Sequence, residues 1–472
     1  LNFRDINEYY GDSSNTYKFH HSAFALVEYL FLKDAEKKNV YLLRHYINFI
    51  MACFALIILY KFLRLSFDRT ISTIGTISLV LHPRIFSNFF YNPNDIWSLF
   101  FVLCSVYFLF KIIKTDKFLY FFLFSIFLAL AINIRFINIY IYPIFIIFYL
   151  YNKNFCKIDY KKLSIQLFLM ISLLIIISPE LWDNPLNFFN KLFGQINHVN
   201  IIDRFSEGAS KRLMFNGNLI GAHTLPWYYL FLWIIITTPL IIIFFSFAGI
   251  LFFLKNLLNN FKFLKKDRLL IGGLVIFLLF TIPLISYLIF RPEIFNGWRH
   301  FYFLYVFLIY FFCYSLFQIK NSNIKKIKKN IIFIFLIMNF TMISYWIVKN
   351  HPYQNVFFNS FSKKYAKGFE LDYWGLTNLK ALKNIIKNET TFPVYISHFH
   401  DRSRIDFSLH MLNKEDKKKI KLVKDWRDKK VKYIITNINN AFTDKHYDSL
   451  GLETYNIIKI DDLIINRILV KK

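Results

Sequence analysis

Three polar clusters interrupt an otherwise apolar chain, and the residue types in each suit a particular chemistry. The first is His82-Pro83-Arg84 followed by Phe89-Phe90-Tyr91-Asn92-Pro93-Asn94-Asp95, which enters an apolar run at Ile96-Trp97. A carboxylate at the head of such a run, with Arg84 upstream and an Asn-Pro turn holding it, can serve as a catalytic base or bind a cation. The same Asp95 can equally be the N-cap that a helix start requires. The second cluster opens with Ser178-Pro179-Glu180-Leu181-Trp182-Asp183 and continues to Pro226-Trp227-Tyr228-Tyr229. Glu180 and Asp183 could accept hydrogen bonds from sugar hydroxyls while Trp182 or Trp227 covers a ring face. Helix termination, and aromatic anchoring at headgroup depth, account for the same residues. The third is Arg291-Pro292-Glu293-Ile294-Phe295-Asn296-Gly297-Trp298-Arg299-His300. Arg299 and His300 suit a phosphate, because a guanidinium meets phosphate oxygens as a two-toothed fork. Arg135, at the end of Asn133-Ile134-Arg135, could join them. An arginine at the edge of an apolar span is costly enough to suggest function, and snorkelling of its head group is the alternative.

These residues need elements to hold them, and the composition says which kind. Of 472 residues, 56% are hydrophobic, against about 45–50% in soluble domains, and the excess lies in blocks. Blocks of about 18 or more nearly uncharged residues can cross a bilayer as helices. Ten are candidates, at 43–60, 70–86, 96–112, 118–134, 136–151, 163–179, 227–254, 269–290, 300–318 and 330–348. The formal charge of +28, from 58 Lys and Arg against 30 Asp and Glu, would by itself suggest nucleic acid. Its distribution says otherwise. Lysines and arginines gather in alternate loops, at 61–69, 111–117, 153–162, 255–268 and 320–329, as cytoplasmic loops do. All three polar clusters then face the other side, and nucleic acid is not expected as a partner.

From His351 the apolar blocks stop and charges return. The expected organisation is a polytopic membrane domain over residues 1–350 and a soluble α/β domain over 351–472. In the latter, Leu376–Lys387 reads as a helix behind a Thr377 N-cap. Strands are expected at Val394–Ser397 and Lys432–Thr436, and a hairpin around Asp461-Asp462. The first residue is Leu, so the chain is expected to begin inside a longer protein, with an N-terminal span missing. Cys53, Cys104 and Cys313 fall in spans and Cys156 in a basic loop, so no disulfide is expected. His398, His400 and Asp401 resemble metal ligands only superficially, and neither a metal nor a cofactor is expected.

The strings HPRIFSNFFYNPNDIW, SPELWDNP, LPWYYLFLWIIITTPL, NGWRHFYFLY, HPYQNVFFN and FELDYWGL resemble, in order over about residues 20–375, the motif set of GT-C type membrane glycosyltransferases. The closer resemblance is to the family-39-like group, related to protein O-mannosyltransferases and lipid A aminoarabinose transferases. That resemblance implies a mostly α, polytopic helical membrane fold with an outward cavity for a polyprenyl-phosphate-linked sugar. It implies transfer with inversion to an acceptor hydroxyl or amine, on an unidentified glycan, lipid or protein, at the periplasmic or lumenal face. A bacterial inner membrane is the expected location, with the C-terminal domain on the periplasmic side. Asp95 matches the family's second acidic position and is expected to act as the base. The family's usual Asp-Glu pair after its first span has no match among Asp5, Glu8 and Asp12. Arg299, His300, Arg84 and Arg135 are expected to bind the donor phosphate. Glu180, Trp182, Asp183 and Trp227 are expected to bind sugar or acceptor. Two other classes fit the spans alone: a transporter or lipid flippase, and a noncatalytic envelope-assembly subunit.

Overall fold

The structure, a computed structural model, describes residues 37–153, 159–178, 212–399, 403–437 and 444–472. The helices of its first three quarters are α1 (Lys37–Leu63), α2 (Arg69–Val80), α3 (Pro83–Tyr91), α4 (Pro93–Thr115), α5 (Phe118–Ile134), α6 (Ile141–Lys153), α7 (Tyr160–Ile177), α8 (Tyr229–Thr237), α9 (Leu240–Asn260), α10 (Arg268–Phe290), α11 (Leu304–Asn321) and α12 (Lys326–Lys349). Among the described residues seven of them, α1, α4, α7, α9, α10, α11 and α12, are long and apolar enough to cross a membrane. The chain is thus a mostly helical, multi-pass membrane protein.

Four of the ten expected spans are not continuous helices: the block at 300–318 begins as the 3-10 turn Arg299–Phe301 and becomes α11 only at Leu304, and the breaks in the other three have local causes. The block at 70–86 ends at Leu81 and restarts as α3, where His82 is the N-cap and Pro83 the first helical residue; proline lacks the N–H that would continue α2 but fits a helix start. The block at 227–254 is cut at Thr238, whose backbone is extended (φ −88°, ψ 140°) ahead of Pro239, as the residue before a proline prefers. The block at 136–151 begins as a 3-10 turn, Phe136–Tyr140, and only then becomes α6. The basic loops survive these corrections. Asp68, Asp159 and Asp267 in them cap α2, α7 and α10 through their side chains.

The chain forms two units. One holds the described residues up to 178 with Pro239–Pro292 and Arg299–Thr341; the other holds residues 212–238, Glu293–Trp298 and Met342–Lys472. In the first, α9 packs along α11, and α4 packs along α1 and α5. In the second, a short hairpin, β1 (Arg212–Phe215) and β2 (Asn218–Gly221), precedes α8, and a mixed sheet follows α12. That sheet contains β3 (Val394–His398), β4 (Ile420–Leu422), β5 (Tyr433–Thr436), β6 (Leu452–Ile460) and β7 (Leu463–Lys471) in the order β4-β3-β5-β7-β6. β3 runs parallel to β4 and β5, and β7 runs antiparallel to β5 and β6. Asp461 and Asp462 turn the last hairpin with φ of 51° and 70°, the left-handed pair that a two-residue loop demands.

Helix α13 (Asn378–Asn388) lays Ala381, Leu382 and Ile385 on one sheet face, against Ile396, Ile435 and Ile468. Thr377 precedes it as expected, but its side chain makes no capping bond. The work falls to Asp372, which accepts from Leu376 N and Thr377 N at 2.9 Å and from Thr377 Oγ1 at 2.6 Å. Asp372 is buried, and its backbone oxygen takes Asn437 Nδ2 at 3.0 Å, tying this turn to the residue after β5. Asp372→Ala would leave buried donors without their charged acceptor, so a loss of about 2–4 kcal/mol is expected. Thermal unfolding of the purified protein, read by proteolysis within this unit, checks it; Asp372→Asn should lose less.

Candidate functional site

The site is built on the short α3–α4 connection of the membrane unit. Asn92 is the N-cap of α4, with Pro93 next, and its Oδ1 accepts from Asp95 N at 3.4 Å. The alternative reading of Asp95 as the cap is therefore corrected: the cap is Asn92, and Asp95 sits in the first turn, where the helix dipole favours a carboxylate. Asn92 Nδ2 donates to Asp95 Oδ2 at 2.6 Å and to Asn88 Oδ1 at 2.7 Å. Asn88 Nδ2 in turn donates to Arg84 O at 2.7 Å. From α1, Asn48 Nδ2 reaches Asn88 O and Phe89 O, both at 2.9 Å. These buried amides lock the connection because each replaces a backbone or side-chain partner that water would otherwise supply.

Two arginines meet on the carboxylate that this lattice holds. Arg135 ends α5 in an extended conformation (φ −143°, ψ 107°), and its Nη2 donates to Asp95 Oδ1. Its turn is fixed by Asn138, whose backbone N bonds Arg135 O at 3.0 Å and whose Nδ2 bonds Ser98 Oγ at 3.1 Å, one helical turn beyond Asp95. Arg299 opens the 3-10 turn before α11, and its Nη1 donates to Asp95 Oδ2 at 3.2 Å. Asp95's side chain is 0% exposed and that of Arg299 8%. Tyr302, three residues on from Arg299, is buried and lies tilted against His82 at 6.4 Å between ring centroids. His82, at the N-cap of α3, lies edge-on to Tyr305 at 4.7 Å between ring centroids, and Tyr305 Oη donates to Ser78 O at 3.0 Å.

The structure thus brings Asp95, Arg135 and Arg299 into direct contact; Arg84 is buried in the first turn of α3, and its backbone oxygen joins the amide chain that leads through Asn88 and Asn92 to Asp95. His300 is half-buried next to Arg299 in the same turn. Trp227 belongs to the other unit, where it is 54% exposed and meets Tyr228 edge-on at 5.7 Å. Glu180, Trp182 and Asp183 lie outside the described residues, as do His400 and Asp401. Sequence reasoning missed Asn48, Asn88, Asn138 and Tyr302. Asn48 and Asn138 carried a readable signal, since a lone amide in an apolar run has to find a partner inside the protein.

Chemically, two guanidiniums on one carboxylate place more cationic than anionic groups at their meeting point, and planar N–H donors there match the oxygens of a phosphate. Arg135 Nε is buried without a hydrogen-bond partner among the described residues.

Residues 25–182 match a family model described as dolichyl-phosphate-mannose-protein mannosyltransferase. Over that stretch the match bears out the resemblance to GT-C type membrane glycosyltransferases that the motif strings carry. No curated protein matches the chain. Among solved structures, the oligosaccharyltransferase of Archaeoglobus fulgidus in its apo form is similar at 12% identity and a TM-score of 0.46, over 89% of this chain. The chain spans 62% of that protein's length. ArnT from Cupriavidus metallidurans bound to undecaprenyl phosphate is similar at 11% identity and a TM-score of 0.44, over 94% of this chain and 86% of ArnT.

Proposed function

We propose, from the family match and the paired arginines, that this chain is an inverting glycosyltransferase that moves a sugar from a polyprenyl-phosphate donor to an acceptor hydroxyl or amine. The observation that carries the proposal is the convergence of Arg135 and Arg299 on the buried Asp95. The acceptor oxygen or nitrogen attacks the anomeric carbon as the bond from that carbon to the phosphate oxygen breaks. The bonding electrons leave on the phosphate, and the acceptor's proton goes to a base. A phosphate held by guanidiniums departs without a strong acid, because fixed cations already neutralise the charge that develops.

In this reading Arg299 and Arg135 hold the phosphate, with Arg84 and His300 beside them. Glu180, Trp182, Asp183 and Trp227 remain the proposed contacts of sugar or acceptor. The basic loops are cytoplasmic by the positive-inside rule, so the reaction takes place on the periplasmic or lumenal face, with the C-terminal unit on that side. The acceptor is a glycan, lipid or protein reached from that face.

Membranes containing the full-length protein, incubated with a panel of radiolabelled polyprenyl-phosphate sugars, test the proposal. The expected result is label transferred to an acceptor together with free polyprenyl phosphate, both missing from empty membranes. Folded protein that transfers nothing across a broad panel would overturn it in favour of transport or assembly.

A further inference from the structure

We propose that Asp95 is not the proton acceptor of the reaction but a positioning residue, which holds Arg135 and Arg299 as a preformed two-guanidinium clamp for the donor phosphate. The inference rests on the reading of this site as a phosphate site and goes one step into it. Both carboxylate oxygens are committed. Oδ1 accepts from Arg135 Nη2, while Oδ2 accepts from Asn92 Nδ2 at 2.6 Å and Arg299 Nη1 at 3.2 Å. The side chain is wholly covered by the protein. A general base needs an oxygen within about 2.6–3.2 Å of the hydroxyl or amine it deprotonates. Three donors already occupy this carboxylate and its side chain is wholly covered, so an acceptor would first have to open the packing around a buried ion pair, where such losses are costly.

The same geometry suits a clamp. One guanidinium on each oxygen fixes the two arginines at a set separation although they come from the end of α5 and the turn before α11. Asp95 itself has no freedom to drift: Asn92 holds it, Asn88 holds Asn92, and Asn48 of α1 holds the backbone of Asn88 and Phe89. Preorganised donors need no rearrangement when charge develops on the leaving group, which is the source of their catalytic value. A chain of amides leading to one carboxylate, and from it to two cations, is the construction such a device requires.

The two roles predict opposite signs for one measurement. Asp95 is negative and lies beside the proposed phosphate, so if the arginines stayed in place without it, its neutralisation would tighten phosphate binding. If Asp95 is what keeps them in place, neutralisation loosens it. The experiment is the affinity of the full-length protein, in lipid nanodiscs, for a fluorescent polyprenyl phosphate that carries no sugar. It is measured for the parent, Arg299→Ala, Asp95→Asn and Asn92→Ser, with KM for the sugar donor and kcat on the same samples. Serine retains the capping oxygen of residue 92 but removes the amide that holds Asp95. The clamp predicts that Asp95→Asn binds at least about tenfold more weakly and Asn92→Ser about threefold, in line with the loss of bonds to charged groups. The donor KM should rise by the same factors. Parent-like or tighter binding by both variants, with kcat alone reduced in Asp95→Asn, would overturn the clamp and return Asp95 to the role of base. If Asp95→Asn does not accumulate as folded protein, Asn92→Ser decides, and unchanged affinity in it overturns the clamp. Absence of binding by the parent would instead sink the phosphate-site reading, which separates the two failures.

Discussion

Arg299→Ala should lower sugar transfer by about a hundred- to a thousandfold, the usual cost of removing one preorganised donor from a developing negative charge, while the amount of folded protein in the membrane stays within about twofold of the parent. The second half of this expectation follows from how Asp95 is paired. A buried carboxylate stripped of every partner would cost about 3–5 kcal/mol, enough to unfold a marginal protein. Without Arg299, however, Asp95 keeps Arg135 on Oδ1 and Asn92 on Oδ2. The fold therefore retains its neutralised acid and the reaction loses its cation. Arg299→Lys should recover part of the activity, because a lysine restores the charge but presents a single point in place of a planar fork. The double variant Arg135→Ala with Arg299→Ala makes the contrast, since it leaves Asp95 with Asn92 alone and should fail to accumulate. Transfer rates and membrane protein levels measured side by side check all three. A fall in protein level equal to the fall in activity for the single Arg299→Ala variant would assign it a structural role instead.

Residue types in this site were legible in the sequence, and their partnerships were not. Arginine and aspartate stand out in an apolar chain because each is expensive there, so Asp95, Arg135 and Arg299 could be singled out one by one. Their meeting is a tertiary event: Arg135 is 40 residues from Asp95 and Arg299 is 204, beyond the reach of any local spacing. The same limit explains the cap. Asn92 and Asp95 are both good N-cap residues, and only the backbone decides between them. Asparagine is so frequent in the polar loops of this chain that Asn88, between two aromatic-rich stretches, did not separate from the background.

At the level of the fold, apolar blocks revealed that helices exist because length and hydropathy suffice for that, whereas continuity depended on each proline. Pro283 lies inside α10, which runs on through it, as transmembrane helices allow when neighbouring groups take up the freed carbonyl. Pro83 and Pro239 stop their helices because the residue before each, His82 or Thr238, is already out of helical geometry. A sequence pattern shows the three prolines alike.

Packing of α9 against α11 offers the largest expected effect on folding, at Gly249. A Cβ built there would lie 1.9 Å from Phe311 O and 2.7 Å from Phe311 C, and backbone atoms of a neighbouring helix cannot turn aside as a flexible side chain could. One turn earlier Ser246 Oγ donates to Leu308 O at 2.9 Å. Small residues at 246 and 249 thus bring the two backbones together, the device by which membrane helices associate when no hydrophobic driving force separates protein from lipid. Gly249→Ala would gain up to about 1 kcal/mol of helix propensity, but overpacking of a tight core costs about 1–3 kcal/mol, and with backbone as the obstacle the clash should win. Gly249→Leu should leave no folded protein at all. The consequence reaches the site, because the turn at the head of α11 carries Arg299, so Gly249→Ala protein that survives should also transfer sugar more slowly. Phe247→Ala is the control: it lies on the same helix but is 61% exposed, and a substitution away from packed contacts should change stability by less than about 0.5 kcal/mol. Melting of the detergent-solubilised proteins, followed by size-exclusion chromatography after heating, distinguishes them. A Gly249→Leu protein that elutes and melts like the parent would show that the α9 and α11 backbones do not approach this closely.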